Sequence, residues 1–283
     1  MWRASSPDAT DAKRLRAARE RLDLQPLAIH TNYLVNLASL DPEIRSKSIT
    51  SFRGELDRAA LLGADYLVLH PGNYKGQPLE QGIAAFVLGL AEAAEGFRAA
   101  GVTVLLENTV GSGNQIGSRF EELRMIRDLA ARETTLHLAY CLDTCHLLAS
   151  GFDVASEAGL EETVAAADRT LGLDLVLLIH ANDSKGALGS HLDRHENIGK
   201  GKIGEQGFRR ILTHPGLRDK PFVLETPVED DAMARADIAA LQRLAGECRT
   251  EPEIARPGHQ PPVSEPRPQG SGAQSSLQPR KIT

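Results

Sequence analysis

Six short apolar runs, with stretches of helical period between them, constrain this chain more than any other feature. The runs are residues 25–30, 66–70, 102–107, 138–143, 175–180 and 221–225. A thinly striped helix is predicted over 9–22, and further helices over 42–62, 79–100, 119–132, 160–171, 206–213 and 231–247. Asp41 followed by Pro42 is a good N-cap and first helical residue, and Gly63 is a good stop. Regular alternation of strand and helix predicts a parallel sheet with helical crossovers. The runs are apolar almost throughout, as strands covered on both faces are. The nearest closed architecture is the eight-stranded α/β barrel, of which six β/α units are visible.

The runs end on His30, His70, Glu107, Asp143, His180 and Glu225. Every one of these side chains can ligate a metal. One such histidine is most simply a hydrogen-bonded loop residue, and one such carboxylate a helix cap. A complete set of strand ends calls for another reason. In a barrel the carboxyl ends of the strands form one mouth, where active sites of that fold are built. His180 opens a long polar loop that delivers Asp193 and His195, two ligand types placed on one face by extended backbone. His146 follows Asp143 closely and belongs to the same mouth.

Nine ligands, five histidines and four carboxylates, are too many for one zinc, which typically takes four. They suit two or three. Four carboxylates carry fewer charges than three zinc ions, so the loaded mouth is expected to be positive on a chain of net charge −6. That favours an anionic substrate, most simply a phosphate ester. Clustered metals clamp the attacking and leaving oxygens of an in-line displacement. The negative net charge lowers the case for nucleic-acid binding without excluding it, because bound cations are not in the count.

Three cysteines make no disulfide framework and fit a reducing cytoplasm. Neither a signal-peptide pattern nor an apolar run of membrane-spanning length is present, and a monomer is expected. Residues 251–283 hold seven of the fifteen prolines and almost no apolar residue. A folded domain over 1–249 and a disordered tail over 250–283 are expected. The loop Gly111–Gly117 lacks the Lys-Ser/Thr ending of a phosphate-cradling motif. It either presents N–H groups to phosphates or simply turns. Cys141 and Cys145 read as buried packing residues.

Seven segments, His30-Thr-Asn-Tyr-Leu, His70-Pro-Gly, Glu107-Asn-Thr-Val-Gly, Asp143-Thr-Cys-His146, His180-Ala-Asn-Asp, Asp193-Arg-His195 and Leu224-Glu225-Thr, resemble those of the endonuclease IV family. The resemblance runs from Met1 to Gly246 and covers all nine ligand positions in order. It implies a TIM-type (β/α)8 barrel and a DNA repair enzyme holding three zinc ions, with manganese an alternative at one site. It also implies roles. His30, His70 and Glu107 would hold the first ion, with Glu107 bridging to a second completed by Asp143, His180 and Glu225. His146, Asp193 and His195 would hold the third. Glu107, Asp143 and Glu225 are the carboxylates it places nearest the chemistry. Hydroxide between the first two ions would attack the phosphate 5′ to an abasic site in duplex DNA, leaving a 3′-hydroxyl and a 5′-deoxyribose phosphate. Arg194, flanked by two ligands, would contact a phosphate, and Tyr33 would line the lesion pocket.

The family pattern begins with two further β/α units. Trp2-Arg3 resembles the end of the second unit's loop, so the barrel is expected to be N-terminally truncated to about six units, with a misplaced start as the favoured reason. Two other readings stand beside the nuclease. A sugar isomerase or epimerase of the xylose-isomerase-like barrels would use one metal on Glu107, Asp143, His180 and Glu225, and would leave the other five ligands unexplained. A non-catalytic binder of damaged DNA would bind abasic sites without cutting them.

Overall fold

The computed structural model describes residues 7–98 and 101–246. The expected tail over 250–283 and the Trp2-Arg3 segment lie outside the described residues. Six parallel strands form one sheet, a half-barrel in the order β1-β2-β3-β4-β5-β8. The strands are β1 (Ala28–His30), β2 (Tyr66–Leu69), β3 (Thr103–Glu107), β4 (Leu138–Asp143), β5 (Val176–His180) and β8 (Phe222–Val223). β1 and β8 are the edges of the described sheet. A small antiparallel pair, β6 (Asp183–Ser184) and β7 (His195–Glu196), stands within the long connection after β5.

The outer face of the sheet is covered by α2 (Pro42–Leu62), α3 (Leu79–Ala94), α4 (Phe120–Glu133), α6 (Glu157–Leu171) and α7 (Gly204–Thr213). Phe52 and Leu56 of α2, Phe86 and Leu90 of α3, Ile126 of α4 and Phe208 of α7 are buried there with Leu67, Leu69, Val104, Leu106, Tyr140 and Ile179 from the strands. Each such side chain contributes roughly 1.5–3 kcal/mol by leaving water. α1 (Ala9–Leu22) packs on α2, and α8 (Asp231–Leu244) on α7. Among the described residues no helix is long and apolar enough to cross a membrane.

The inner face is thinner, and it decides where the ligands go. Its cluster is Val68, Leu105, Ala139, Cys141 and Leu178, joined by Ala28 and Val223. Successive strand residues point to opposite faces. Two residues beyond Ala28, Val68, Leu105, Cys141, Leu178 and Val223 stand His30, His70, Glu107, Asp143, His180 and Glu225. The same alternation that fills the inner layer therefore aims all six side chains into the mouth above it. Parallel register sets neighbours side by side, Asp143 opposite His180 and His180 opposite Val223.

Local boundaries follow capping chemistry. Asp41 accepts hydrogen bonds from the N–H groups of Glu43 and Ile44, and Gly63 closes α2 in the left-handed region at φ +67°. α3 stops at Ala94, short of the expected Ala100, where Phe97 N–H turns back to the Ala94 carbonyl through Gly96 at φ +70°. α6 begins three residues early because Ser156 caps it, accepting from Gly159 N–H. The segment after Asp143, where no helix is predicted, is the short helix α5 (Thr144–Ser150). Asp143 caps it by accepting from His146 N–H at 2.8 Å.

Candidate metal centre

Glu107 is fully buried at the centre of the mouth, and its two oxygens divide the histidines between them. Oε2 lies 2.9 Å from His30 Nε2 and 3.5 Å from His70 Nε2. Oε1 lies 3.0 Å from His180 Nδ1 and 3.4 Å from His146 Nδ1. Glu225 reaches in from beyond β8, with Oε2 3.2 Å from His180 Nδ1. On the far side Asp193 Oδ1 is 3.3 Å from His146 Nε2 and 3.5 Å from His195 Nε2. The two imidazole Nε2 atoms are 3.5 Å apart. All nine residues singled out from the sequence thus meet at one rim.

Three overlapping sets result. His30, His70 and Glu107 form one, Glu107, Asp143, His180 and Glu225 a second, and Asp143, His146 and His195 a third, each with one ligand atom per residue within 4.8 Å of the others. The first two match the sets expected from sequence. The third differs, because Asp143 stands beside it as well, with Oδ2 3.7 Å from His195 Nε2. Asp193 approaches the same two histidines from the solvent side, its side chain 53% exposed.

The donor set fits small divalent cations. Zinc bonds of about 2.0–2.1 Å in a tetrahedron separate ligand atoms by about 3.3 Å, close to the spacings above. Ring orientation agrees. His30 Nδ1 faces the Thr31 carbonyl at 2.8 Å, His146 Nδ1 the Asn108 carbonyl at 3.0 Å, and His195 Nδ1 the Glu225 carbonyl at 3.0 Å. A carbonyl only accepts, so each Nδ1 carries a proton, and each Nε2, once deprotonated, offers its lone pair to the mouth. Burial acts to raise the Glu107 carboxyl, but His70, His180 and His146 outweigh it and hold that carboxyl well below the usual range. Burial acts to lower His146, and Asp143, Asp193 and Glu107 push it well above the ordinary histidine value. Cation binding must therefore displace protons and is favoured by rising pH.

Arg194 and Tyr33 are exposed, Arg194 between Asp193 and His195 and Tyr33 three residues after His30. Arg194 Nη1 donates to the neighbouring Asp193 carbonyl at 2.8 Å, and Tyr33 is 84% exposed. The glycine loop after β3 closes on itself. Thr109 N–H donates to the Gly117 carbonyl and Gly117 N–H to Glu122 Oε2 at 2.6 Å, while Gly117 holds φ +99°. That is turn chemistry. Cys141 and Cys145 are buried, and burial pushes their thiols up to about 12 and about 11. Neither is expected to react with iodoacetamide in the folded protein at pH 8, whereas both react in denaturant. Peptide mapping of the alkylated chain checks this, and native labelling of Cys141 would contradict the packing.

Sequence reasoning missed the residues that support the ligands. Asn108 Oδ1 accepts from Asp143 N–H at 2.7 Å, and its Nδ2 donates to the Asp143 carbonyl at 3.3 Å. Buried Asp237 accepts from Asn197 Nδ2, Ile198 N–H and Thr226 Oγ1. The available signal was position, since Asn108 directly follows the ligand Glu107 and Asn182 stands two residues after His180.

Residues 2–244 match the family described as xylose isomerase-like TIM barrel. A protein of Solibacter usitatus named "Probable endonuclease 4" is 59% identical over 87% of this chain and 85% of its own length. A protein of the same name from Halothermothrix orenii is 41% identical over 80% of each chain. The chain belongs to the endonuclease IV family. The crystal structure of endonuclease IV from Thermus thermophilus superposes with a TM-score of 0.72 at 38% identity, covering 86% of both chains. A D-tagatose 3-epimerase-like protein shares the fold alone, at 19% identity and a TM-score of 0.59.

Proposed function

We propose that this member of the endonuclease IV family is a zinc-dependent DNA repair nuclease that cuts duplex DNA 5′ to abasic sites, leaving a 3′-hydroxyl and a 5′-deoxyribose phosphate. The observation that carries the proposal is the sharing of Glu107 between two ligand sets, with a third set alongside. Phosphodiester hydrolysis needs charge stabilisation at both the attacking and the leaving oxygen, and adjacent cation sites meet that need. Bound divalent cations supply hydroxide near neutral pH and offset charge on the phosphate oxygens.

The chain's own residues do the rest. His30 and His70 hold one end of the centre, and Glu107 fixes its distance from the set of Asp143, His180 and Glu225. His146, Asp193 and His195 hold the outer set, nearest solvent. Arg194, exposed between two ligands, offers a guanidinium to a phosphate, and Lys185, Lys200 and Lys202 are exposed in the same connection between β5 and α7. Phosphate contacts of this kind position a duplex without reading its sequence. Tyr33, exposed three residues after His30, presents an aromatic face to the space left by a missing base.

The zinc-loaded protein is expected to nick a duplex carrying one tetrahydrofuran lesion on its 5′ side, and a chelator is expected to abolish cutting. Cleavage that survives complete metal removal, or none with zinc bound, would sink the proposal. The single-metal isomerase reading rests on the set of Glu107, Asp143, His180 and Glu225. It predicts one metal per chain where the nuclease reading predicts three, so elemental analysis separates the two.

A further inference from the structure

Asn182 is fully buried and joins three of the four strands that carry the second ligand set. β5 and β8 stay in register only as far as His180 and Val223, with one more bond from Ala181 N–H to the Val223 carbonyl. Beyond that point the β8 chain leaves the ladder, and Glu225 N–H donates instead to Asn182 Oδ1 at 2.8 Å. At the other end of the same amide, Nδ2 donates to Asp143 Oδ2 at 2.5 Å. The backbone of Asn182 is fixed too. Its N–H donates to Thr144 Oγ1 at 3.0 Å, and Thr144 Oγ1 donates to its carbonyl at 2.7 Å.

The orientation of the amide follows from these partners. A backbone N–H can only donate, so the end facing Glu225 is the oxygen and the end facing Asp143 is the NH2. Asp143 then has one donor on each oxygen, His146 N–H on Oδ1 and Asn182 Nδ2 on Oδ2. Each oxygen keeps a lone pair, and the carboxylate cannot turn. This matters because Asp143 stands between two of the three sets. A free carboxylate there would rotate toward whichever cation pulled harder.

We propose that Asn182 is a positioning residue. Its amide locks the Asp143 carboxylate and the Glu225 backbone to His180, and so sets the cation affinity of the second ligand set. Only a short side chain with a donor at one end and an acceptor at the other performs both tasks. Glutamine is too long, aspartate lacks the donor, and alanine lacks both groups. The inference rests on the metal-centre reading above, and the experiment separates the two.

Zinc is titrated away from the parent, N182D and N182A with a graded chelator, and the cobalt-substituted proteins are compared by visible absorption. N182D keeps the acceptor for Glu225 N–H and places a carboxylate against Asp143, so it isolates that one contact. Both variants are expected to release part of their zinc at about 10–100-fold lower chelator strength, the usual effect of removing a group that orients a ligand. Their cobalt spectra are expected to change in band position and intensity, while near-UV circular dichroism of the metal-free chains stays that of the parent. Variants with parental affinity and parental spectra would overturn the proposal. So would variants that cannot fold with or without metal, since the residue would then be structural. A parent that binds no metal would overturn the metal-centre reading itself.

Discussion

Glu107→Gln is expected to reduce cutting at an abasic site by well over the ~100-fold that marks loss of a supporting contact, and to lower bound zinc. The substitution is close to isosteric, so packing is nearly unchanged and the effect isolates one charge. In the parent, Oε2 faces His30 and His70 while Oε1 faces His146 and His180. Glutamine keeps an oxygen at one end only. Its NH2 end has no lone pair to offer, so whichever way the amide turns, one set loses its shared ligand. The loss extends beyond a single ion, because the spacing between the first two sets is fixed by this carboxylate. Elemental analysis of the purified variant and a nicking assay on a tetrahydrofuran duplex measure the two effects together. Parental zinc content in the variant would refute the bridging role of Glu107. Full zinc content with lost cutting would instead place its contribution in the chemistry.

How much of this was legible beforehand differs between ligands and supports. The convergence of the six strand-end candidate ligands was readable because strand alternation ties each to an inner-face apolar residue two positions earlier, from Ala28 and His30 to Val223 and Glu225. The place of His146 at the mouth was readable, but its helix was not. α5 spans seven residues, too few for a helical period to declare itself, and its cap is the same Asp143 that reads as a ligand. The placement of Asp143 beside the third set was also hidden, because spacing along the chain does not say which way a carboxylate turns. Asn108 and Asn182 escaped notice for a different reason. Their partners are side chains and backbone groups 35 or more residues away, and no local pattern encodes such contacts. Asp183 and Asp237 look like surface acids in sequence and are buried in the fold.

Asp183→Ala is expected to lower stability by at least about 3 kcal/mol, since each buried N–H left unpaired costs about 1–3 kcal/mol. Asp183 is completely buried, and its carboxylate accepts from Ser184 N–H at 2.8 Å, Gly201 N–H at 2.9 Å and Ile203 N–H at 2.9 Å. Gly204 N–H, the first residue of α7, adds a longer bond at 3.2 Å. The carboxylate therefore sits at the amino end of a helix, where the backbone dipoles favour negative charge. Alanine removes every acceptor at once, and the donors on Ser184 and Ile203 belong to buried residues. Asparagine is expected to recover only part of the loss, because its NH2 end would face further N–H groups. Gly201 leaves no space for adjustment, since a Cβ there would overlap both Asp183 Oδ1 and the Ser184 carbonyl. The damage reaches the metal centre through the β6–β7 pair, in which Ser184 lies opposite His195. For a folded unit of this size the melting temperature should fall by roughly 6–12 °C, at about 2–4 °C per kcal/mol. Urea unfolding of the metal-free chain measures the stability term apart from zinc binding. A loss below about 1 kcal/mol would mean that water or a rearranged loop satisfies the N–H groups, and that the carboxylate does not hold this loop in place.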